Sequence, residues 1–440
     1  MRVVIVGAGP TGLFTAIGLA RRSHDVVLID RDPGPSGRGT WKRKGIMQFH
    51  HAHTFRGPVV DILRAELPDV LHRLTAAGAV VAVAPDGRPA ALLCRRALFD
   101  AVLRRCAVTE PGVTVVTGHV DGLIRERGLV RGVTYAGSGL TADVVIDATG
   151  RTSRLTSAVR MRAEGGDCGA VYIDRQYRLL AGAPAGPVNS PIGLSLGFPG
   201  YFAIAFLHDN RTFSITFAHD GSDRRLRGLR DGKVFHAAVR AIPQLSDWVD
   251  PLRAQPITPV LPGGRLYNGY RGQLDARGQL ATPGMISLGD AVCTTTPLAG
   301  RGVTLALMQA RSLLGALDHH VADIDSSAMQ FEDWCTAYLR PWFDDHCHAD
   351  ADRLRRWAGG AVDPTRRLPS DLVVAAAASD DRLHAVVEPF ARMDALPASL
   401  DSVEPLARES YVRGWRPAVP DGPTRDELAE VCEARALDVT

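Results

Sequence analysis

The residues of this chain best placed to do chemistry are glycines and acids at fixed spacings, not a nucleophile beside a base. Gly7, Gly9 and Gly12 stand in the spacing GxGxxG, and Asp30 follows about twenty residues on. The first glycine permits a tight turn, the second lets a pyrophosphate approach the backbone, and the third lets helix and strand pack closely. A helix starting there offers free N–H groups and the positive end of its dipole to phosphates. An acid at the distance of Asp30 accepts hydrogen bonds from an adenosine ribose. A second set comes late: Gly289-Asp290-Ala291, then Pro297, Gly300 and Gly302. The Asp290 carboxylate suits a polyol hydroxyl. The N–H groups of a helix opening at the turn would stabilise an anion, such as the N1–C2=O edge of a reduced flavin.

These residues need elements to hold them. Residues 3–6 form an apolar β-branched run that reads as a buried parallel strand. A helix to about residue 22 and a strand at 26–29 follow. Helices at 59–67 and 70–77, strands at 80–83, 90–93 and 113–116, a hairpin around Gly128 and a buried strand at 144–146 complete the first part. From about residue 167 to 218, strand-like runs separated by turns predict an antiparallel sheet. A strand at 285–288 delivers Asp290, and the chain is mainly helical after about residue 318. A long helix over 328–357 is interrupted near Pro341, and Thr424 with Glu427 forms a capping box. The fold class predicted is α/β. It has a Rossmann-like dinucleotide domain at 1–165, with a small excursion near 78–95, and an antiparallel β-sheet substrate domain at 166–265. The first domain resumes at 266–320, and a helical C-terminal region follows at 321–440.

After Asp30 comes a turn-rich stretch and then WKRKGIMQFHHAHTFRGP, dense in cations and histidines. His50, His51 and His53 have no carboxylate or cysteine close in sequence, so metal ligation is disfavoured. Two readings remain: a polar loop whose imidazoles bond backbone or water, or a loop running beside a bound cofactor. In DDHCHADAD, His346/Asp350 and His348/Asp352 are i,i+4 pairs on different helix faces, which reads as a solvated acidic face without metal.

Composition narrows the class. The chain has 440 residues, 45% hydrophobic and 22% charged, with a net charge of +3. That is ordinary for a soluble protein of two or three domains and gives no support to a nucleic-acid partner. Seven scattered cysteines without CxxC suggest reduced thiols and a cytoplasmic location. No apolar run is long enough for a membrane span.

GAGPTG, the Arg95 that opens LLCRRALFDAVL, DATGRTSR and GDAVCTTTPLAGRG, in that order, resemble the class A FAD-dependent monooxygenases. The resemblance covers about residues 1–320. It implies that Gly7, Gly9, Gly12, Asp30, Arg95, Asp290, Pro297, Gly300 and Gly302 bind FAD. Val120 sits where the family contacts adenine through its backbone, and Arg31 and Arg43 (or Lys44) match the cations after the second strand. GIMQFHHAH, with Gly45, Gln48, His51 and His53, is similar to a subgroup that includes polyketide epoxidases. The activity implied is hydroxylation or epoxidation of a hydrophobic aromatic or polyene substrate by O2, through a flavin C4a-hydroperoxide. His51 and His53 are the candidate catalytic residues. Tyr201, Phe202, Phe206 and Phe213 are candidates for the substrate wall.

One departure bears on the electron source. The family usually carries Ala-Asp-Gly in its middle motif, and this chain has Ala148-Thr149-Gly150. NAD(P)H then acts directly or through a separate flavin reductase. The same form occurs in halogenases and prenyl reductases of related fold. The Trp-x-Trp-x-Ile-Pro segment of flavin-dependent halogenases is absent. The alternatives kept are a flavin-dependent reductase of isoprenoid double bonds and a flavin-binding protein without turnover.

Overall fold

A computed structural model describes residues 1–35, 41, 43, 46, 48–156, 159–319 and 323–437. Lys44 and Gly45 of the histidine-rich stretch lie outside the described residues. The organising element is a five-stranded parallel sheet in the order Met285–Ser287, Val144–Asp147, Arg2–Val6, Asp25–Asp30, Val113–Thr117. Val3 pairs with Val26 on one side and with Val144 on the other, so the first strand is central. Val3 to Val6 are apolar and buried on both faces, as a covered parallel strand requires. The helices Pro10–Ala20 and Gly302–His319 pack on this sheet; Leu314 crowds Gly18, whose missing side chain lets the two helices approach. The sheet therefore brings both glycine motifs to the ends of two strands separated only by Val144–Asp147, although about 280 residues separate them in sequence.

The second large layer is antiparallel. Gly193–Phe198, Tyr201–Leu207, Thr212–Asp220 and Ala170–Leu179 are neighbours in a six-stranded sheet. One face packs on the helix Gly232–Arg240 and on Arg425–Leu437. The latter opens with the capping box: the Thr424 N–H donates to Glu427 Oε2 at 2.8 Å. The other face looks toward the parallel sheet across a cavity.

The C-terminal region is helical, and the long helix is broken as its sequence suggests. Ile324–Trp334 runs through a π-helical turn at Cys335–Leu339 into Arg340–Trp357, with Pro341 in the first turn of the last piece. The acidic stretch departs from the solvated face predicted for it. His346 and Asp350 are buried, and Asp350 accepts from Asn268 Nδ2 at 2.7 Å and pairs with Arg353. The helix turns that face into the core, where Arg353 neutralises the acid. Among the described residues no helix is long and apolar enough to cross a membrane.

Candidate functional site

A single cavity of about 1050 Å³ runs from the first glycine turn to the antiparallel sheet. Ligand pockets are about 300–1,000 Å³, so this one suits a large ligand. At one end are Gly7, Gly9, Asp30, Arg31, Arg43 and Val120; at the other are Tyr172, Ile204, Phe206, Thr216 and Ala218. Asp290, Pro297, Gly300 and Gly302 lie on the wall between the two sheets.

The glycines act through what they lack. Gly7 has φ +105°, and a Cβ there would meet the Ala148 carbonyl oxygen at 2.4 Å. A Cβ on Gly12 would meet the Gly7 carbonyl oxygen at 2.0 Å, so helix and turn are locked together. A Cβ on Gly9 would meet nothing within 4 Å. The space over Gly9 is open, and Gly9 caps a helix that no side chain caps. That is a cradle for a phosphate.

Asp30 ends the second strand and organises that end of the cavity. Its Oδ2 accepts from the Ala8 N–H at 2.5 Å and from Arg43 at 3.0 Å, and its Oδ1 accepts from the Asp32 N–H at 2.8 Å. Arg43 also donates to Asp100 Oδ2 at 3.2 Å, lies beside the Trp41 ring and is buried. A carboxylate with about four acceptor sites retains one for an external hydroxyl.

Sequence reasoning picked Arg95 for the cofactor, and the structure holds it elsewhere. Its backbone N–H and guanidinium donate to the fully buried Asp209, at 2.7 and 2.6 Å, and it does not line the cavity. The next residue, Arg96, does line it. Arg96 is clamped by Asp100 at 2.9 and 3.0 Å. One position along a helix is a turn of about 100°, so adjacent arginines face different partners.

Asp290 opens onto the cavity, yet the surrounding protein desolvates it and pushes its carboxyl up, with Arg96 and Arg151 pulling the other way. After it, Pro297–Ala299 forms a short 3-10 turn, and Gly300 adopts φ +63°. A Cβ on Gly300 would meet Thr54 Oγ1 at 2.9 Å, which fixes the turn against the segment after the histidine loop. The 18-residue helix Gly302–His319 starts at the cavity wall.

The two catalytic candidates separate. His53 lines the cavity. Its Nδ1 lies 2.9 Å from the His51 carbonyl oxygen, so Nδ1 carries the proton, and Nε2 faces Arg96 at 3.4 Å. Burial and the Arg96 charge hold it well below the usual imidazole range. His51 sits behind the wall, edge-on to Tyr172, with Nδ1 3.8 Å from Asp174 Oδ2 and no hydrogen-bond partner. Burial, with the neighbouring His50, pulls it down to about 4. The loop is gripped from the sheet: the Ala52 N–H donates to Asp174 at 2.6 Å, and Gln176 Nε2 donates to the His50 carbonyl at 2.5 Å. Asp174 is wholly buried, and desolvation pushes it up to about 7 despite hydrogen bonds from Ala52 and Thr216.

Of the four aromatic candidates for the substrate wall, Phe206 lines the cavity. Side chains alternate faces along a strand. Tyr201 and Phe213 point to the helix-covered face: Tyr201 donates to the Pro423 carbonyl at 2.6 Å, and Phe213 stacks on Tyr177 at 5.2 Å. Phe202 shares the face of Phe206 but packs edge-on against Trp357 at 5.3 Å, outside the cavity. Ile204, Tyr172, Thr216 and Ala218, unmarked from sequence, are the neighbours of Phe206 on the wall. The register that aligns Tyr172 with Ala218 and Ile204 with Thr216 was the signal, and strand pairing is not readable from one sequence.

Comparison with known proteins places this geometry. A family model described as FAD dependent oxidoreductase matches residues 2–84, and one described as Tryptophan halogenase matches residues 80–166. Kynurenine 3-monooxygenase of Salinispora arenicola (strain CNS-205) is 30% identical over 261 residues, covering 50% of this chain and 52% of that protein. The chain thus spans about half the length of the curated relatives it matches. The flavin-dependent brominase Bmp2 superposes with TM-score 0.66 at 16% identity, over 94% of this chain and 100% of that one. PqsL, a probable FAD-dependent monooxygenase from Pseudomonas aeruginosa, gives TM-score 0.61 at 17% identity, over 82% and 98%. The chain resembles the class A FAD-dependent monooxygenases, and its fold is the one seen in flavin-dependent monooxygenases and halogenases.

Proposed function

We propose that the chain is an FAD-dependent monooxygenase, a cytoplasmic oxidoreductase that hydroxylates or epoxidises a hydrophobic aromatic or polyene small molecule with O2. The observation that carries this reading is the continuity of one cavity from the open turn at Gly9 to the apolar sheet face around Phe206. Bound FAD would supply the redox chemistry and the activation of O2.

The chain's own residues bind, orient and exclude water. The open space over Gly9 would receive the pyrophosphate, and Asp30 and Arg43 would hold the adenosine end beside Val120. Asp290 would accept from the ribityl hydroxyls. The helix from Gly302 would offer its N-terminus to the pyrimidine edge. Ile204, Phe206 and Ala218 make a dry wall for an apolar substrate. His53 is neutral, with its proton on Nδ1 and Nε2 facing Arg96, so it is suited to orient groups at the cavity wall without carrying charge. His51 supports the loop through its backbone carbonyl. In the middle motif Thr149 Oγ1 donates to Asp147 at 2.6 Å and offers no carboxylate, so electrons come from NAD(P)H or from a separate flavin reductase.

Reconstitution with FAD followed by visible absorbance tests the cofactor. Oxygen uptake with a panel of phenols and polyenes, read by a mass gain of one oxygen atom, tests the activity. Substrate turnover without oxygen uptake would point to the double-bond reductase, and FAD retention with no turnover to a binding protein. The match of residues 80–166 to a halogenase model favours one further reading, oxidation of halide. The same assay with bromide present separates it by a brominated product.

A further inference from the structure

Resting on the flavin reading above, we infer that Arg56 is an uncompensated cation behind the Pro297–Gly302 turn that sets the reduction potential of the bound flavin. Arg56 lies at the end of the short strand Phe55–Arg56 and reaches the turn directly: a guanidinium NH2 group donates to the Ala299 carbonyl at 3.0 Å. That group would also stand 3.8 Å from a Cβ on Gly300. Its backbone N–H donates to Thr304 Oγ1 at 3.1 Å, in the first turn of the helix behind the motif. Its Nε is buried and has no hydrogen-bond partner. Among the described residues no carboxylate lies within ion-pair distance of it.

The neighbourhood does not cancel this charge. Arg301, on the cavity wall, is the charged group that acts on Arg56, and it repels it. Arg301 has its own partner, Asp345, at 2.8 Å, and lies over the Trp342 and Phe390 rings at 4.6 and 4.8 Å. Asp371, which also acts on Arg301, is paired with Arg356 at 2.5 Å. Burial, and then the charges of Arg301 and Arg353, hold His346 well below the usual imidazole range and so neutral. The sum around the turn is two guanidiniums and one unshared carboxylate. Arg56 retains some accessible surface, but protein surrounds it, and burial with Arg301 brings it down to about 10, still charged near neutral pH.

A lone buried cation is costly to keep and is retained where it acts on something. Here it acts through the turn. When the flavin takes two electrons and a proton at N5, the charge that remains resides on the N1–C2=O edge, which faces the turn in the reading above. A fixed positive charge there favours the reduced anion. Arg56 is thus a positioning charge, not a group that touches substrate.

The test uses FAD-loaded full-length protein and two readouts other than turnover. Sulfite forms an N–S bond at flavin N5 and displaces the electron pair onto the same pyrimidine edge, so its Kd reports the charge there. The potential is measured by anaerobic reductive titration against a reference dye. Arg56→Gln should weaken sulfite binding about tenfold and lower the potential by about 30 mV, the equivalent for a two-electron couple. Arg56→Lys keeps the charge and should stay near wild type. Asp345→Asn bares Arg301 beside the same turn and should move both readouts the opposite way, which checks that they follow the charge at the turn. If Arg56→Gln keeps FAD and neither readout moves, the inference is overturned. If Arg56→Gln fails to fold, Arg56→Met, which keeps the side-chain stem without the charge, decides: no shift in either readout overturns it. Failure of the wild type to hold FAD would instead remove the flavin reading itself.

Discussion

Gly9→Ala and Gly12→Ala, two residues of one motif, should fail for opposite reasons. Gly9 has φ −70°, which alanine adopts freely, and an added Cβ meets nothing within 4 Å. In the protein without cofactor the substitution should be close to neutral, a gain of about 0.4–1 kcal/mol through the unfolded state being offset by the poorer fit of alanine at a helix N-cap. The same methyl occupies the space through which a pyrophosphate would reach the backbone. FAD at about a hundredfold excess over its Kd stabilises the wild type by about 2.7 kcal/mol, and Gly9→Ala should lose that increment. Gly12→Ala drives a Cβ to 2.0 Å from the Gly7 carbonyl oxygen, which is backbone and cannot swing aside. Overpacking of this kind costs about 1–3 kcal/mol, and the cofactor-free protein itself should melt lower. Differential scanning fluorimetry with and without FAD, beside a flavin fluorescence titration, reads both effects. Wild-type FAD affinity in Gly9→Ala would refute the reasoning, because the phosphates could not then pass over this turn.

The other predictions rest on buried charge. Arg95→Ala leaves Asp209 buried and unpaired, so stability should fall by about 3–5 kcal/mol while the FAD affinity of the folded fraction stays near wild type; Arg96→Ala should weaken FAD binding instead. Urea unfolding and flavin titration of the two variants distinguish them, and weakened FAD binding in well-folded Arg95→Ala would restore the assignment made from sequence. Asp174 gives a pH dependence. Its carboxyl is raised from 3.8 to about 7, so between those values the folded protein binds more protons than the unfolded chain and stability falls as pH rises. The slope is on the order of 1 kcal/mol per pH unit. Asp174→Asn should flatten it when urea midpoints are compared at about pH 4.5 and 6.5, and an unchanged slope would mean that the folded protein holds Asp174 ionised.

The sequence carried the two glycine turns because they work through the backbone. Gly7, Gly12 and Gly300 are needed where a Cβ would strike a carbonyl or a neighbouring side chain, and local spacing fixes such a requirement. Asp30 and Asp290 were legible for the same reason: one ends a buried strand and the other follows one by three residues, and the strand end puts each at the cavity. The parallel sheet, the antiparallel sheet and the helical C-terminal region could likewise be read from hydrophobic period alone.

Side-chain partners are a different kind of information. Arg95 and Arg96 are equally plausible in sequence, and what separates them is Asp209, on the far side of a strand that arrives 114 residues later. Tyr201, Phe202, Phe206 and Phe213 are equally aromatic, and what separates them is the parity of each strand and the place of Trp357 and Pro423. A shift of one residue exchanges the whole set of faces, so composition points to an aromatic sheet but not to the ring that meets a ligand. His51 and His53 show the rule at its sharpest. Two residues apart in an irregular loop, they share a chemistry and differ in surroundings: His53 meets the cavity beside Arg96, while His51 is enclosed by Tyr172 and Asp174. The candidate site is therefore legible in sequence to the extent that it is made of backbone, and becomes a matter of tertiary register where it is made of side chains.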